Sequence, residues 1–225
     1  YFQDDVPVRE ADNMRGHAVR AMYLSAGALD VAHESNDQGL AEAVRNQWDR
    51  ALARRTYVTG GMGSHHQDEA FGEDFELPSD RAYSETCAGI GSIMVAWRLL
   101  LADGQAQEAD HIERVLFNVL ATALADSGDA FFYTNSLHQR VRGHEAHPDE
   151  ISPRAHASLR APWFEVSCCP TNISRTIASL GAYVATTSQN ALQIHQYPSG
   201  SLDTRVGESG RAQVRVRSEF PRRGR

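Results

Sequence analysis

Apolar residues recur at helical spacing through most of the first 184 residues, with glycine-marked breaks, so this chain must find neighbours for one helical stripe after another. From Asn13 to about His33, Met14, Ala18, Ala21, Met22, Ala26, Leu29 and Ala32 fall on one face and predict an amphipathic helix. Further helices are expected from Gly39 to Arg55, from Glu85 to Leu101 with Asp103-Gly104 as the stop, from Ala106 to Ala125, and from Pro170 to about Val184. Between the second and third lies Tyr57 to Asp80, which carries Gly60, Gly61, Gly63 and Gly72 and little helical period. Loops of that length inside compact domains tend to be functional. Ala130 to Thr134 is aromatic enough for a short strand, and a polar, proline-interrupted loop follows from Arg142 to Pro162. After Thr187 the period becomes two: Ala191, Gln193 and His195 alternate with Leu192, Ile194 and Gln196, and Val214 and Val216 alternate with Arg215 and Arg217.

Successive helices joined by loops suggest a stacked helical-hairpin array or an α/α toroid, with a β-module beginning near residue 188. Five helices do not close a ring, and the last strands would keep an unpaired edge, so the chain is expected to continue beyond both ends.

The bulk composition, 225 residues with 41% apolar and 23% charged content, suits a soluble globular domain. A net charge of −7 offers no basic footprint for a phosphate backbone or an anionic membrane, so nucleic acid is not an expected partner. All 22 basic residues are arginine, which excludes a Schiff-base lysine within these residues. The longest apolar stretch, Ile90 to Ala102, is broken by Arg98 and falls short of the roughly 20 residues a membrane-spanning helix needs, so no membrane anchor is expected.

Three cysteines occupy two short motifs, Glu85-Thr86-Cys87 and Cys168-Cys169-Pro170, each where a helix is expected to begin. An odd count with two adjacent does not resemble the even framework of a disulfide-stapled secreted domain. Inside a helix, residues two apart diverge. At a helix start the first residue is non-helical, so Glu85 and Cys87 can face one site. Two helix N-termini aimed at one point favour thiolates. Three thiols and a carboxylate make a four-ligand set that suits Zn²⁺. The same thiols could instead be nucleophiles, a redox pair or inert buried cysteines, and the residues alone leave these readings open.

Several blocks together resemble the β-L-arabinofuranosidases of glycoside hydrolase family 127. They are Gly16-His17-Ala18-Val19-Arg20-Ala21-Met22-Tyr23, Tyr57-Val58-Thr59-Gly60-Gly61-Met62-Gly63-Ser64, Asp68-Glu69-Ala70-Phe71-Gly72, Leu77-Pro78-Ser79-Asp80, Tyr83-Ser84-Glu85-Thr86-Cys87 and Cys168-Cys169-Pro170-Thr171-Asn172. The resemblance covers most of residues 3 to 184 and departs at Thr171, where a second proline is common, and at His65-His66-Gln67. It implies a mainly α fold, with residues 1–187 part of a catalytic (α/α)6 barrel and 188–225 the start of a β-sandwich-like domain. It also implies a retaining hydrolase that releases terminal β-L-arabinofuranose. Cys168 takes the place of the nucleophile and Glu69 that of the acid/base. Glu85, Cys87, Cys168 and Cys169 correspond to zinc ligands, and His17, Glu113 and Tyr133 to residues lining the sugar pocket.

Without that resemblance, His17 reads as a satisfied helix histidine, Glu69 and Glu113 as solvated carboxylates, Tyr133 and Trp163 as core aromatics. With it, Trp163 is a candidate apolar platform for a sugar, and His65 and His66 are loop residues beside the pocket. Expected partners are carbohydrate, as L-arabinofuranosides of plant glycans, with a homodimer left open and a cytoplasmic location. Alternatives are a related hydrolase of another furanoside or of a branched acidic sugar, or a non-catalytic domain built on structural zinc.

Overall fold

The structure, a computed structural model, describes residues 2–140, 151–152, 159–208 and 210–223. Helix α1 spans Ala18–Ser35 and starts five residues later than its apolar spacing suggests, because Gly16 adopts a left-handed φ of 64° and His17 is the N-cap. Asn36, also left-handed, closes α1 by returning its N–H to Ala32 and His33. Asp37 then caps α2 (Gln38–Arg54) by accepting the Leu40 N–H at 3.0 Å. A connection this short makes the two helices an antiparallel hairpin.

Helix α3 (Thr86–Asp103) ends on Gly104, whose φ of 68° returns its N–H to Leu100. Helix α4 (Ala106–Val115) was expected to run on to Ala125. The coil instead widens into a π-helical turn over Leu116–Leu120 and stops after α5 (Ala121–Ala123), where Leu124 turns extended and bridges to Phe131. Helix α6 (Cys168–Ala178) begins two residues before Pro170, so the proline is the third helical residue rather than the first. The first four N–H groups of a helix have no intrahelical acceptor, so proline costs nothing there either.

Helix α3 is the centre, packed against α1, α4 and α6, while α1 also packs on α2. Its residues from Thr86 to Asp103 are apolar and long enough to cross a membrane by composition, yet 67% of that window is buried inside the fold. Contact with α1 is so close that a Cβ on Gly91 would lie 2.8 Å from Met22 Cβ. Ile90, Ile93, Val95 and Ala96 of α3 meet Met22, Leu29, Trp48, Ile112 and Val119 in one continuous core. Arg45 of α2 reaches the fully buried Glu108 of α4 as well as Asp103, tying the outer helices together.

Strands β1 (Phe131–Phe132) and β2 (Arg160–Ala161) pair antiparallel, so the expected strand over 130–134 is present but short. The polar loop expected over 142–162 lies largely outside the described residues. Beyond α6, β3 (Ala185–Thr187) pairs with β4 (Leu192–Ile194), and β5 (Gly200–Val206) with β6 (Gly210–Val216). Strand structure thus starts at Ala185. This β-region rests on the helices through ring contacts: Trp97 meets the His195 ring edge-on at 6.4 Å, and Phe117 meets Phe220 at 5.1 Å.

Candidate active site at three helix starts

Helices α1, α3 and α6 all begin at one place, and each contributes functional side chains from its first residues. Glu85 is the N-cap of α3, with extended backbone (φ −60°, ψ 139°), so its carboxylate can turn to the side that Cys87 faces. Ser84 before it has φ 38° and donates its N–H to Gly63 at 2.7 Å. A Cβ on Gly61 would sit 2.0 Å from Ser84 Oγ, so this turn requires glycine. The Thr86 N–H bonds the Tyr133 carbonyl at 3.0 Å, and Asn135 Nδ2 bonds the Ser84 carbonyl at 2.8 Å. These bonds dock the chain just after β1 beside the start of α3 and deliver Tyr133 to the site.

The ligand-type atoms of Glu85, Cys87, Cys168 and Cys169 all lie within 4.8 Å of one another. Cys87 Sγ is 3.2 Å from Cys168 Sγ and 3.5 Å from Cys169 Sγ, and the two adjacent sulfurs are 4.0 Å apart. All three thiols are free; Cys87 and Cys169 are buried and Cys168 is exposed. Glu85 Oε1 and the Tyr133 hydroxyl stand 3.3 and 3.4 Å from Cys168 Sγ.

Crowding acidic groups in a buried place sets their proton affinities. Burial first, then the charge on Cys168 and on Glu69, holds the Glu85 carboxyl well above its ordinary range. Hydrogen bonds from Cys169, Cys87 and Tyr133 favour the thiolate of Cys168, while the same sharing pushes Cys87 and Cys169 up. The direction that favours a thiolate falls on the exposed sulfur, Cys168, at the α6 N-terminus. Glu85 Oε2 is buried with no hydrogen-bond partner among the described residues. A buried cluster of thiols and an under-satisfied carboxylate is a donor set that could hold a metal ion.

Glu69 enters from the glycine-rich segment. The His17–Ala70 bridge lays that segment along the start of α1, and His17 Nε2 meets Glu69 Oε2 at 2.8 Å with both side chains more than nine-tenths buried. Asp68 and Glu69 both hold left-handed backbone, φ 56° and 51°, a strained arrangement for consecutive non-glycine residues. Glu69 is close enough for its charge to help raise Glu85.

The structure therefore brings together Glu69, Glu85, Cys87, Tyr133, Cys168, Cys169 and His17. It does not bring Glu113 with them. Glu113 lines a separate open groove of about 700 Å³ between α4 and the β-region, with Asp110, His195, Tyr197 and Phe220. Its position on α4 points away from the stripe of Ile112, Val115 and Val119 that packs on α3. His65 pairs with Glu76 at 2.7 Å, and the His66 ring meets Tyr83 edge-on at 5.0 Å, so neither joins the thiol cluster. Trp163 is 49% exposed and follows β2. Sequence reasoning gave no role to Asn172, whose Nδ2 lies 3.0 Å from Cys87 Sγ. Its spacing of four from Cys168, one helical turn, was the available signal.

Compared with known proteins, the chain falls in a glycoside hydrolase family. The chain belongs to the family of the beta-L-arabinofuranosidase GH127 catalytic domain, whose model matches residues 1–182. It is 35% identical over 98% of its length to a non-reducing end beta-L-arabinofuranosidase of Bifidobacterium longum subsp. longum, covering 33% of that protein. Among solved structures, a GH127 beta-arabinofuranosidase superposes with a TM-score of 0.85 at 36% identity, covering 98% of this chain and 32% of that one. A GH127 beta-L-arabinofuranosidase from Geobacillus stearothermophilus T6 gives 0.86 at 33% identity, covering 98% and 34%. The chain thus spans about a third of the length of these relatives.

Proposed function

We propose that this chain carries the catalytic site of a retaining glycoside hydrolase that releases terminal β-L-arabinofuranose, with Cys168 as nucleophile and Glu69 as acid/base. In this reading residues 1–187 are part of an (α/α)6 barrel and 188–225 open a β-sandwich-like domain. The observation that carries the proposal is an exposed thiol, Cys168, set among two buried thiols and a carboxylate, with the buried His17–Glu69 pair beside it.

Glu85, Cys87, Cys168 and Cys169 would hold Zn²⁺. Thiolate and carboxylate are donors zinc takes, and tetrahedral Zn–S bonds of about 2.3 Å imply sulfur spacings of ~3.8 Å. The observed 3.2, 3.5 and 4.0 Å bracket that value. When bound, the ion supplies positive charge that keeps sulfur ionised at neutral pH and makes it a better leaving group.

This chain's residues then divide the work. Cys168 Sγ attacks the anomeric carbon while Glu69 gives its proton to the departing glycosidic oxygen; a C–S bond forms as the C–O bond breaks. Glu69, now ionised, takes a proton from water, whose oxygen attacks the same carbon and returns the electron pair of the C–S bond to sulfur. Inversion twice at one carbon retains its configuration. His17 orients the Glu69 carboxylate through their 2.8 Å contact, and Tyr133 stands against Cys168 where it can also meet a sugar hydroxyl. Three free thiols suit a reducing compartment, and the cytoplasm is the address we propose.

The test is hydrolysis of a chromogenic β-L-arabinofuranoside by Cys168→Ser and Glu69→Gln, with mass spectrometry of trapped protein. A pentose adduct on the peptide containing Cys168 is the expected result, accumulating in Glu69→Gln with an activated leaving group. Full activity in either variant overturns the role assigned to it.

A further inference from the structure

Asn172 sits on α6 one turn beyond Cys168, buried, and its side chain spans three helices. Its Oδ1 accepts from Arg175 NH2 at 2.6 Å and from the Tyr23 hydroxyl at 3.0 Å, and Arg175 NH2 also reaches the Tyr23 hydroxyl at 3.2 Å. Guanidinium can only donate, so the amide atom facing Arg175 must be the oxygen. That fixes Nδ2 on the other side, 3.0 Å from Cys87 Sγ. Arg175 is further tied to Met94 Sδ on α3 at 3.8 Å. Cys87 therefore receives an oriented N–H, and no such donor is directed at Cys168 from this triangle.

We propose that Asn172, its amide turned by Arg175 and Tyr23, is a positioning residue that holds Cys87 Sγ as the spectator sulfur and leaves Cys168 as the reacting one. An N–H donor disperses charge from the sulfur it bonds and pins its direction, so the two sulfurs nearest each other, 3.2 Å apart, become unequal. This inference rests on the nucleophile reading above and adds to it the residue that sorts the thiols.

The test uses the natural protein loaded with zinc, and with Co²⁺ for spectroscopy. Asn172→Ala should lower kcat about tenfold with KM within about twofold, and speed zinc stripping by a chelator about tenfold, the range for partners that orient metal ligands. The sulfur-to-cobalt charge-transfer band should shift, a change that mere loosening of the fold would not produce. Asn172→Asp, which sets a carboxylate oxygen against sulfur, should do more. Arg175→Met, at an exposed position, should act in the same direction and more weakly, because the amide is then free to turn. A folded Asn172→Ala with unchanged kcat, stripping rate and cobalt spectrum overturns the proposal. Where Asn172→Ala does not fold, Arg175→Met decides, and an unchanged spectrum there overturns it equally. Cys168→Ser is measured alongside. If it stays active, the nucleophile reading falls and takes this inference with it; if it is inactive while Asn172→Ala is normal, only the role of Asn172 falls.

Discussion

Asp74 and Glu85 are both poorly exposed acids near the start of the same fold, and their surroundings are opposite. Asp74 accepts from Arg55 Nε at 2.7 Å, Arg54 at 3.0 Å and Arg50 at 3.1 Å, and Arg55 first, then Arg54, hold its carboxyl well below the usual carboxylate range. Glu85 faces thiols and another carboxylate, and burial pushes it the other way. The first arrangement is electrostatically complete. With the Phe75 N–H bonding the Arg54 carbonyl at 2.8 Å, it fastens the segment after Glu69 to the end of α2. The second leaves polarity unmet in a buried place, which a fold tolerates where it has work to do. One acid fastens the scaffold; the other, separately, is left with a carboxylate oxygen that no neighbour satisfies among the described residues.

The sharpest way to break this contrast is at the reacting sulfur. Cys168→Ser should cost at least about 10³-fold in kcat/KM, as expected for removing a nucleophile, while leaving the unfolding temperature of the metal-free protein near that of the parent. Glu85→Gln should weaken zinc binding by about 100-fold or more, read by competition with a chromogenic chelator, since it removes a charged ligand and its pull on the ion. On the scaffold side, Arg55→Met removes a buried guanidinium that also bonds the Met14 carbonyl at 3.1 Å. It should lower stability by about 2 kcal/mol, a Tm fall of about 4–8 °C, with zinc affinity unchanged. Loss of zinc affinity in Arg55→Met would show that the two acids are not independent.

A smaller effect separates the core from both. Burial pushes His111 down to about 3 from the ordinary 6.5, and its Nε2 meets Ser92 Oγ at 2.8 Å. The unfolded chain therefore takes this proton first. The stability His111 contributes is full above about pH 6.5 and is lost as pH falls toward 3, with a slope of at most about 1.4 kcal/mol per pH unit. Urea unfolding of the parent and of His111→Gln between pH 5 and 7 should show the shallower decline in the variant, as one of several titrating groups is removed.

Much of the helical region was legible because amphipathic spacing and capping residues are local signals. The Gly104 stop and the α2 span were read to within a residue or so. Three ends were misread, one of them that of α6, which was expected to reach about Val184 but stops at Ala178 before a 3₁₀ turn over Leu180–Tyr183. The start of α1 moved to Ala18 because Gly16 and the Ala70 bridge, a contact across 53 residues, claim the chain before it. The expected long fourth helix widens to a π turn at Leu116–Leu120, where Val119 packs against Gly89 of α3. At the site, the grouping of Glu85 with Cys87 followed from helix-start geometry, whereas Glu69 was reachable only through resemblance, because one acid in a loop looks like any other. Glu113, given to the sugar pocket by resemblance, lies apart from the thiol cluster on the groove between α4 and the β-region, a separation that spacing along the chain does not reveal.

By itself, the order of residues determined that helices alternate with glycine-marked stops and that two of them start near thiols or a carboxylate, since periodicity, caps and glycine stops act over a few residues. Only the tertiary structure decided that three of those starts meet, that Cys168 alone of the thiols faces solvent, and that Asn172 bonds Cys87. Those are contacts across 80 or more residues. They are set by how α1 and α6 pack against α3, which no local pattern encodes.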